Sequence, residues 1–455
     1  MIHPLLSPLA ILGFGEEGKA ALEFAKNQGI SDITICDQKD NPDIPAEVKK
    51  KVGPNAFENL TEFKTIIRSP GVYYKLPGIL EAKDQGVSVT SMTEMALEVG
   101  RERMTAITGS NGKTTTTGMI DAILTKHYGG EIVVGGNDRQ PVLQRALDHP
   151  TWPILMEGSS FQFADLKLSP HISGILNISP NHLDWHDNLE DYINAKANLT
   201  AHQDQDDWCI LNANDENSAK LAQAAKGKIF WVGKKEGEHW AMWENMNEGE
   251  MPSSRLIANF DGHTTQILRR NDLKVKTHPD NLAFAVAVGM IHGVDPTLIK
   301  DVLSIFPGMP QRLEFVREIN GIKFYNDSSC TTPESTWVAM NQFPQDELIL
   351  MLGGSTKHSD FSEMAKQIVQ THTRVYLYGA EGPRIQKAIE TAGGQQLILK
   401  RDETGDFKGI IDRVFSLAKP GDNIVLSPAC ASFDMFKNSK ERGKLFSEMV
   451  NDLNF

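Results

Sequence analysis

Lys113 and Thr114 stand directly behind two glycines in the run Gly109-Ser110-Asn111-Gly112-Lys113-Thr114-Thr115, and those residue types at that spacing suit phosphate groups. A lysine there reaches terminal phosphates, and a threonine hydroxyl ligates magnesium. The glycines let backbone N–H groups close on an anion, and a following helix adds its positive end. The run is the short form of the pattern, since the strict eight-residue version would put a glycine at Ile107. Context supports it. Residues 104–107 read as a short buried strand, and Met119, Ile120, Ile123 and Leu124 fall at helical spacing within 116–126.

Other chemistry-bearing residues fall at the ends of apolar runs. Glu157 closes the run 154–156, so it is expected at the carboxyl end of a strand, where open α/β sheets bind ligands. A carboxylate there can hold magnesium beside Thr114. Ser159, Ser160 and Gln162 follow and can hydrogen-bond a substrate oxygen. His182 comes just after a strand predicted over 174–178. Lys196 lies in a helix predicted over 191–199, where an isolated lysine is ordinarily solvated.

Nearer the start, Gly13-Phe14-Gly15-Glu16-Glu17-Gly18 follows a strand predicted over 9–12, and Asp37 ends the next, over 33–36. This is a dinucleotide-binding fingerprint, with a tight turn and close backbone approach to a diphosphate. NAD is the obvious ligand. A hydride-transfer enzyme has no use for the second phosphate loop, however, so another nucleotide diphosphate fits better. Ser69-Pro70-Gly71, behind a strand predicted over 65–67, can supply a second glycine turn to the same ligand.

These residues need elements to position them. Alternating strand and helix signals favour α/β throughout, in three domains. A Rossmann-like N-terminal domain is expected over 1–100. A central mononucleotide-binding domain of the P-loop ATPase type follows over 101–306, then a Rossmann-like C-terminal domain over 307–455. Pro307-Gly308-Met309-Pro310 is a breaker cluster, expected to act as linker and hinge. The polar stretch 234–254 is expected to be a surface loop or hairpin, with Trp240 and Trp243 unexplained.

Bulk properties narrow the function. A chain of 455 residues, 40% hydrophobic, supports several conventional cores. The formal charge of −13 argues against nucleic acid and anionic membrane as partners. The longest strongly apolar run, 282–291, is too short to span a bilayer. Pro4 and Pro8, with no basic leader, argue against a signal peptide. Cys36, Cys209, Cys330 and Cys430 lie far apart without a Cys-x-x-Cys, which fits free thiols in a reducing cytosol and gives no zinc pattern. A cytoplasmic monomer acting on small molecules is expected.

Assembled, the motifs resemble the Mur ligases, ATP-dependent enzymes that add amino acids to the UDP-muramoyl peptide precursor of bacterial cell wall. The resemblance covers nearly the whole chain. Besides the two glycine loops it is carried by Ser69-Pro70-Gly71, Glu157-Gly158-Ser159-Ser160-Phe161-Gln162 and Asn177-Ile178-Ser179-Pro180-Asn181-His182-Leu183-Asp184. Tyr325-Asn326-Asp327-Ser328, Leu352-Gly353-Gly354 and Ser427-Pro428-Ala429-Cys430-Ala431-Ser432 add to it. The nearest branch adds D-glutamate to UDP-N-acetylmuramoyl-L-alanine through an acyl phosphate.

The resemblance implies roles. The first domain would bind uridine diphosphate rather than NAD, through Gly13, Phe14, Gly15, Asp37, Ser69 and Gly71. ATP and two magnesium ions would be the cofactors. Gly109, Ser110, Asn111, Gly112, Lys113, Thr114 and Thr115 would surround the ATP phosphates, with Asn281 by the adenine and Arg312 and Asp327 contacting ATP from the third domain. Thr114 and Glu157 would ligate one magnesium, and His182 would help ligate the second. Lys196 is similar to the family's lysine that carries a carbamate, which turns an ammonium into an anionic oxygen ligand. Lys113, Glu157, His182 and Lys196 would form the catalytic set. Asn137 would contact the muramoyl or phosphate part, Ser159 and Gln162 the substrate, Thr331 and Lys357 the glutamate side chain, and Ser432 its α-carboxylate.

The chain departs from the family pattern in three places. Ser329-Cys330-Thr331-Thr332 stands where Lys-Ala-Thr-Asn is usual, and Asn181-His182 where Asp-His is common. Thr277-His278-Pro279-Asp280-Asn281 keeps only the last Asn of a His-Asn-x-x-Asn pattern. Relatives that add L-glutamate can carry a Thr-Thr-Pro loop, so both enantiomers stay open. Folylpolyglutamate synthase shares the short phosphate loop, but the uridine-type first domain and residues 427–432 argue against it. A non-catalytic ATP-binding regulator would be favoured by loss of Lys113, Glu157, His182 or Lys196, and none is lost.

Overall fold

The computed structural model describes residues 4–137, 140–246, 253–273, 277–344, 346–356 and 359–453. The chain divides into two compact units, Met1–Phe306 and Pro307–Phe455.

The first unit holds two sheets. Strands β1 (Leu9–Leu12), β2 (Ile33–Asp37), β3 (Lys49–Val52), β4 (Thr65–Arg68) and β5 (Ser88–Thr90) form a parallel sheet in the order β3-β2-β1-β4-β5. β1 and β4 are buried at every residue, as central strands covered on both faces must be. The strand order reverses between them. The Gly13 turn after β1 and the Ser69 turn after β4 therefore share one crevice at the carboxyl edge of the sheet.

The second sheet has nine strands: β6 (Met104–Thr108), β7 (Val133–Gly136), β8 (Ile154–Glu157), β9 (Ile172–Ile175), β10 (Trp208–Asn212), β11 (Lys228–Val232), β12 (Trp240–Met246), β13 (Ser253–Phe260) and β14 (His263–Arg269). Their order is β14-β13-β12-β11-β10-β9-β6-β8-β7. Pairing is parallel from β7 to β12, and β13 and β14 add as an antiparallel meander. The apolar run 282–291 belongs to helix Pro279–Ile291, buried without a break from Asn281 to Gly289, so it is a core helix. No described helix is long and apolar enough to cross a membrane.

Two local expectations are refined. The strand predicted over 174–178 ends at Ile175, because Asn177 turns away to hold the phosphate loop: its side chain donates to Asn111 O and accepts from Asn111 N. The stretch 234–254 contributes the paired strands β12 and β13, while residues 247–252 lie outside the described residues. Trp240 is buried, and Trp243 Nε1 donates to Pro279 O at 3.0 Å, pinning the start of the core helix.

The two sheets share one apolar cluster, in which Leu9, Ile11 and Phe14 join Met104, Ile154 and Met156. An ion pair reinforces it. Arg68, 1% exposed, donates to Asp165 Oδ1 at 2.6 Å and to Phe161 O at 3.2 Å.

The second unit is a six-stranded sheet of β15 (Glu314–Ile319), β16 (Ile322–Asn326), β17 (Leu348–Gly353), β18 (Arg374–Tyr378), β19 (Ile398–Asp402) and β20 (Asn423–Leu426). The order is β15-β16-β20-β17-β18-β19, parallel apart from β15. Alternate residues of β17 feed separate cores on the two faces, Ile349 and Met351 on one and Leu348, Leu350 and Leu352 on the other. All four cysteines are buried free thiols.

Candidate active site

Helix Lys113–His127 begins at Gly112, whose φ of +83° is the left-handed turn that glycine adopts without strain. The N-cap glycine carries no side chain of its own to cap the helix start, which suits an anion-binding end. The loop is held from β9 by Asn177 and by Ser110, whose N–H donates to Asn177 O at 2.8 Å. Asn281 is brought against the loop: a Cβ on Gly112 would lie 2.6 Å from its Oδ1. Lys113 Nζ folds across the loop to Gly109 O at 2.9 Å, and Thr115 is half-buried in the same first turn.

β6 and β8 are neighbours with Ile107 opposite Glu157, so the fully buried Glu157 carboxylate reaches the helix start. Thr114 Oγ1 donates to Glu157 Oε1 at 3.1 Å. Asn137 N donates to Glu157 O at 2.9 Å, and its Nδ2 lies 3.5 Å from Glu157 Oε1. Among the described residues no three His, Cys, Asp or Glu side chains converge into a metal cage. The two oxygen donors Thr114 and Glu157 instead suit a hard cation that takes its remaining ligands from phosphate and water.

Lys196, 1% exposed, donates to Thr108 Oγ1 and Gly109 O, both at 3.1 Å, and lies 4.8 Å from the Tyr192 ring centroid. Burial, with help from the Lys113 charge, holds its pKa well below the usual lysine value. His182 is exposed, has left-handed backbone at φ +55° and packs its ring 4.8 Å from that of Phe161. Partial desolvation and the charges of Lys113 and Lys196 lower its pKa against the pull of Asp184.

A cleft of about 290 Å³ opens between the first and second sheets. Gly13, Gly15, Ser69 and Gly71 line it from the first sheet, and Asn137, Ser159 and Gln162 from the second. Ser69 Oγ donates to Gly13 O at 2.8 Å, locking the two glycine turns together. Ser159 and Gln162 close a capping box at the start of helix Ser160–Phe163. Phe14 and Asp37 stand apart. The Phe14 side chain is 3% exposed in the shared core, and Asp37 accepts from Phe14 N at 2.8 Å and from Lys39 N at 3.0 Å. Both shape the turn, and neither lines the cleft.

In the C-terminal unit, Asp327 accepts from Ser427 Oγ at 2.8 Å and from Leu313 N at 3.2 Å, next to half-buried Arg312. Burial pushes its pKa up to about 7 against those hydrogen bonds. Thr331 is half-buried and Ser432 buried. Lys357 lies outside the described residues.

Sequence reasoning missed the side chains that hold these segments. Arg442, fully buried, donates to Ser328 Oγ and to the carbonyls of Ser328, Cys430 and Ala431, tying the Asp327 loop to the Ser432 loop. Asp191 accepts from Lys75 Nζ at 2.6 Å and Tyr74 OH at 2.8 Å. It also meets His186 Nδ1 at 3.0 Å, whose Nε2 meets Ser160 Oγ at 2.9 Å. A helix-face count near Arg442 would have exposed one buried cation. Lys75 and Tyr74, more than a hundred residues from Asp191, leave no such signal.

A glycine loop at the head of a parallel sheet, beside a carboxylate on the adjacent strand, defines a mononucleotide-binding α/β protein. Comparison with known proteins narrows the class. Residues 7–91 match the Mur ligase MurD-like N-terminal domain, 107–287 the Mur ligase middle domain and 311–430 the Mur ligase glutamate ligase domain. The UDP-N-acetylmuramoylalanine–D-glutamate ligases of Acetivibrio thermocellus and Ruminiclostridium cellulolyticum are each 33% identical, over 98% of this chain and 96% of theirs. MurF from Acinetobacter baumannii has a similar fold, with a TM-score of 0.61 at 18% identity, over 98% of this chain and 90% of that one. The chain belongs to the Mur ligase family.

Proposed function

We propose that this protein joins D-glutamate to UDP-N-acetylmuramoyl-L-alanine, with ATP converted to ADP and phosphate, in peptidoglycan precursor synthesis. Relatives named for that activity match it over nearly the full length. The observation that carries the reading is the place of Asn137. It lines the cleft with Gly13 and Ser159, and its amide approaches the Glu157 carboxylate that holds Thr114. One residue thus joins the precursor cleft to the nucleotide loop.

In this reading the backbone of 109–112 cradles the ATP phosphates and Lys113 neutralises their terminal charge. Thr114 and Glu157 would hold one magnesium, and His182 would contribute to the second. Bound magnesium supplies the charge neutralisation that lets two anions approach. The substrate carboxylate takes the terminal phosphoryl group to give an acyl phosphate. The glutamate amine then displaces phosphate and loses one proton.

Lys196 fits the carbamate role. Its hydrogen-bond partners are neutral oxygens and its pKa is depressed, so the free amine is favoured. That amine adds carbon dioxide, forming an N–C bond and releasing a proton, which leaves an anionic oxygen donor beside the loop. In the C-terminal unit, Thr331, Lys357 and Ser432 are assigned to glutamate, and Arg312 and Asp327 to ATP.

Phosphate release from ATP tests the reading, with UDP-N-acetylmuramoyl-L-alanine and either D- or L-glutamate. Turnover with D-glutamate alone is expected. Turnover with L-glutamate alone moves the chain to the L-adding branch. No turnover with either, alongside turnover of a folate substrate, overturns the assignment.

A further inference from the structure

Glu17 is the second residue of helix Glu16–Asn27, just behind the Gly13 turn, and it lines the cleft. Its Oε1 accepts from Gln162 Nε2 at 2.7 Å, bridging the first glycine loop to the capping-box helix of the second sheet. Its Oε2 is sealed from solvent and meets no donor among the described residues. A carboxylate oxygen left in that state is poorly stabilised when charged.

The surrounding charges do not compensate. Arg68 on β4 is the cation whose field reaches Glu17, but its two terminal nitrogens are taken by Asp165 and by the carbonyls of Phe161 and Val72, and its buried Nε donates neither to Glu17 nor to any other described residue. On Glu17's own helix, Lys19 pairs with Asp43 and Glu16. Glu16 adds a second acid to the same first turn. Gln162, facing from the other sheet, is neutral. Burial accordingly raises the Glu17 pKa against the opposing effects of Gln162 and Arg68. A diphosphate on the Gly13 turn would bring still more negative charge to this carboxyl.

The inference rests on the uridine-nucleotide reading of the cleft. We propose that Glu17 carries a proton when an anionic nucleotide sugar occupies the cleft, so that binding takes up hydrogen ion from solvent. The carboxylate gains one proton and no other bond changes. Oε1 keeps its hydrogen bond from Gln162, and Oε2 turns from an unmet acceptor into a donor. The helix start then receives a diphosphate without a facing negative charge.

Isothermal titration of the protein with UDP-N-acetylmuramoyl-L-alanine, in pairs of buffers differing in ionisation heat, counts the protons. The doubly esterified diphosphate of that probe does not titrate between about pH 5.5 and 8, so the count belongs to the protein. Wild type is expected to take up a count approaching one proton, and its Kd to weaken by up to about tenfold per pH unit above the raised pKa. Glu17→Gln, which mimics the neutral acid and keeps the Gln162 bond, is expected to lack that uptake and hold a nearly constant Kd. Binding by wild type with no uptake in this range overturns the inference alone, whatever the variant does. Equal uptake by both forms also overturns it. No binding by wild type overturns the uridine-nucleotide reading and the inference with it.

Discussion

The hydroxyl of Thr114 donates to Oε1 of Glu157 across 3.1 Å, joining the first turn behind the phosphate loop to the end of the adjacent strand. Each residue is useful only because β6 and β8 are neighbours in the sheet. Glu157→Gln keeps the shape and removes the charge. It is expected to lower kcat by about 10²–10³-fold and to raise the magnesium concentration needed for half-maximal rate. Steady-state phosphate release against magnesium concentration measures both, and an unchanged profile refutes the ligand role.

Lys196→Ala removes a buried amine that touches the loop at Gly109 O. Most activity is expected to disappear. Short-chain carboxylic acids should restore part of it, because they can supply an oxygen donor in the vacated space. Rates with and without added acetate or formate check this, and a fully active Lys196→Ala enzyme rules the carbamate out.

Arg68→Ala would leave Asp165 facing the core without its 2.6 Å partner, apart from Lys83 at 3.3 Å. Breaking a buried ion pair from one side costs about 3–5 kcal/mol. Denaturant unfolding should show a loss of that order in the transition of the first unit. A shift below about 1 kcal/mol, the range of an exposed pair, would mean that the pair is not a stabilising anchor.

Asp191 gives a pH signature. Burial alone would raise its pKa, but hydrogen bonds from Lys75, His186 and Tyr74 bring it down to about 2, from an ordinary value of 3.8. A carboxyl lowered on folding contributes stability that is fully present above its unfolded value and is lost as pH falls through the folded one. The contribution is up to about 2 kcal/mol and should vanish between about pH 4 and 2. Asp191→Asn should flatten that part of the stability–pH curve. Parallel curves for wild type and variant would contradict the assignment.

The placement of much of the candidate site was legible because its residues sit at the ends of strongly patterned runs. Glu157 closes an apolar strand, and the glycine loop lies between strand and helix signals, so local pattern was enough to place them. Lys196 was legible only through resemblance, since on pattern alone it reads as a solvated helix lysine. Phe14 differs from its motif neighbours, which face the cleft, because its own side chain answers to the core shared by the two sheets. Glu17, Arg68 and the Lys75–Asp191 pair left no such trace. Gln162 for Glu17, Asp165 for Arg68 and Lys75 for Asp191 lie about a hundred residues or more away, and contacts of that kind are set by sheet order rather than by spacing along the chain.

His182 lies in the left-handed region at φ +55°, a conformation that costs a side-chain-bearing residue roughly 1–2 kcal/mol and glycine little. A laboratory screen that rewards heat resistance alone would therefore tend to trade this imidazole for hydrogen. Sturdier descendants of that screen would arrive with one loop relaxed and, on the proposed role of His182, their chemistry gone.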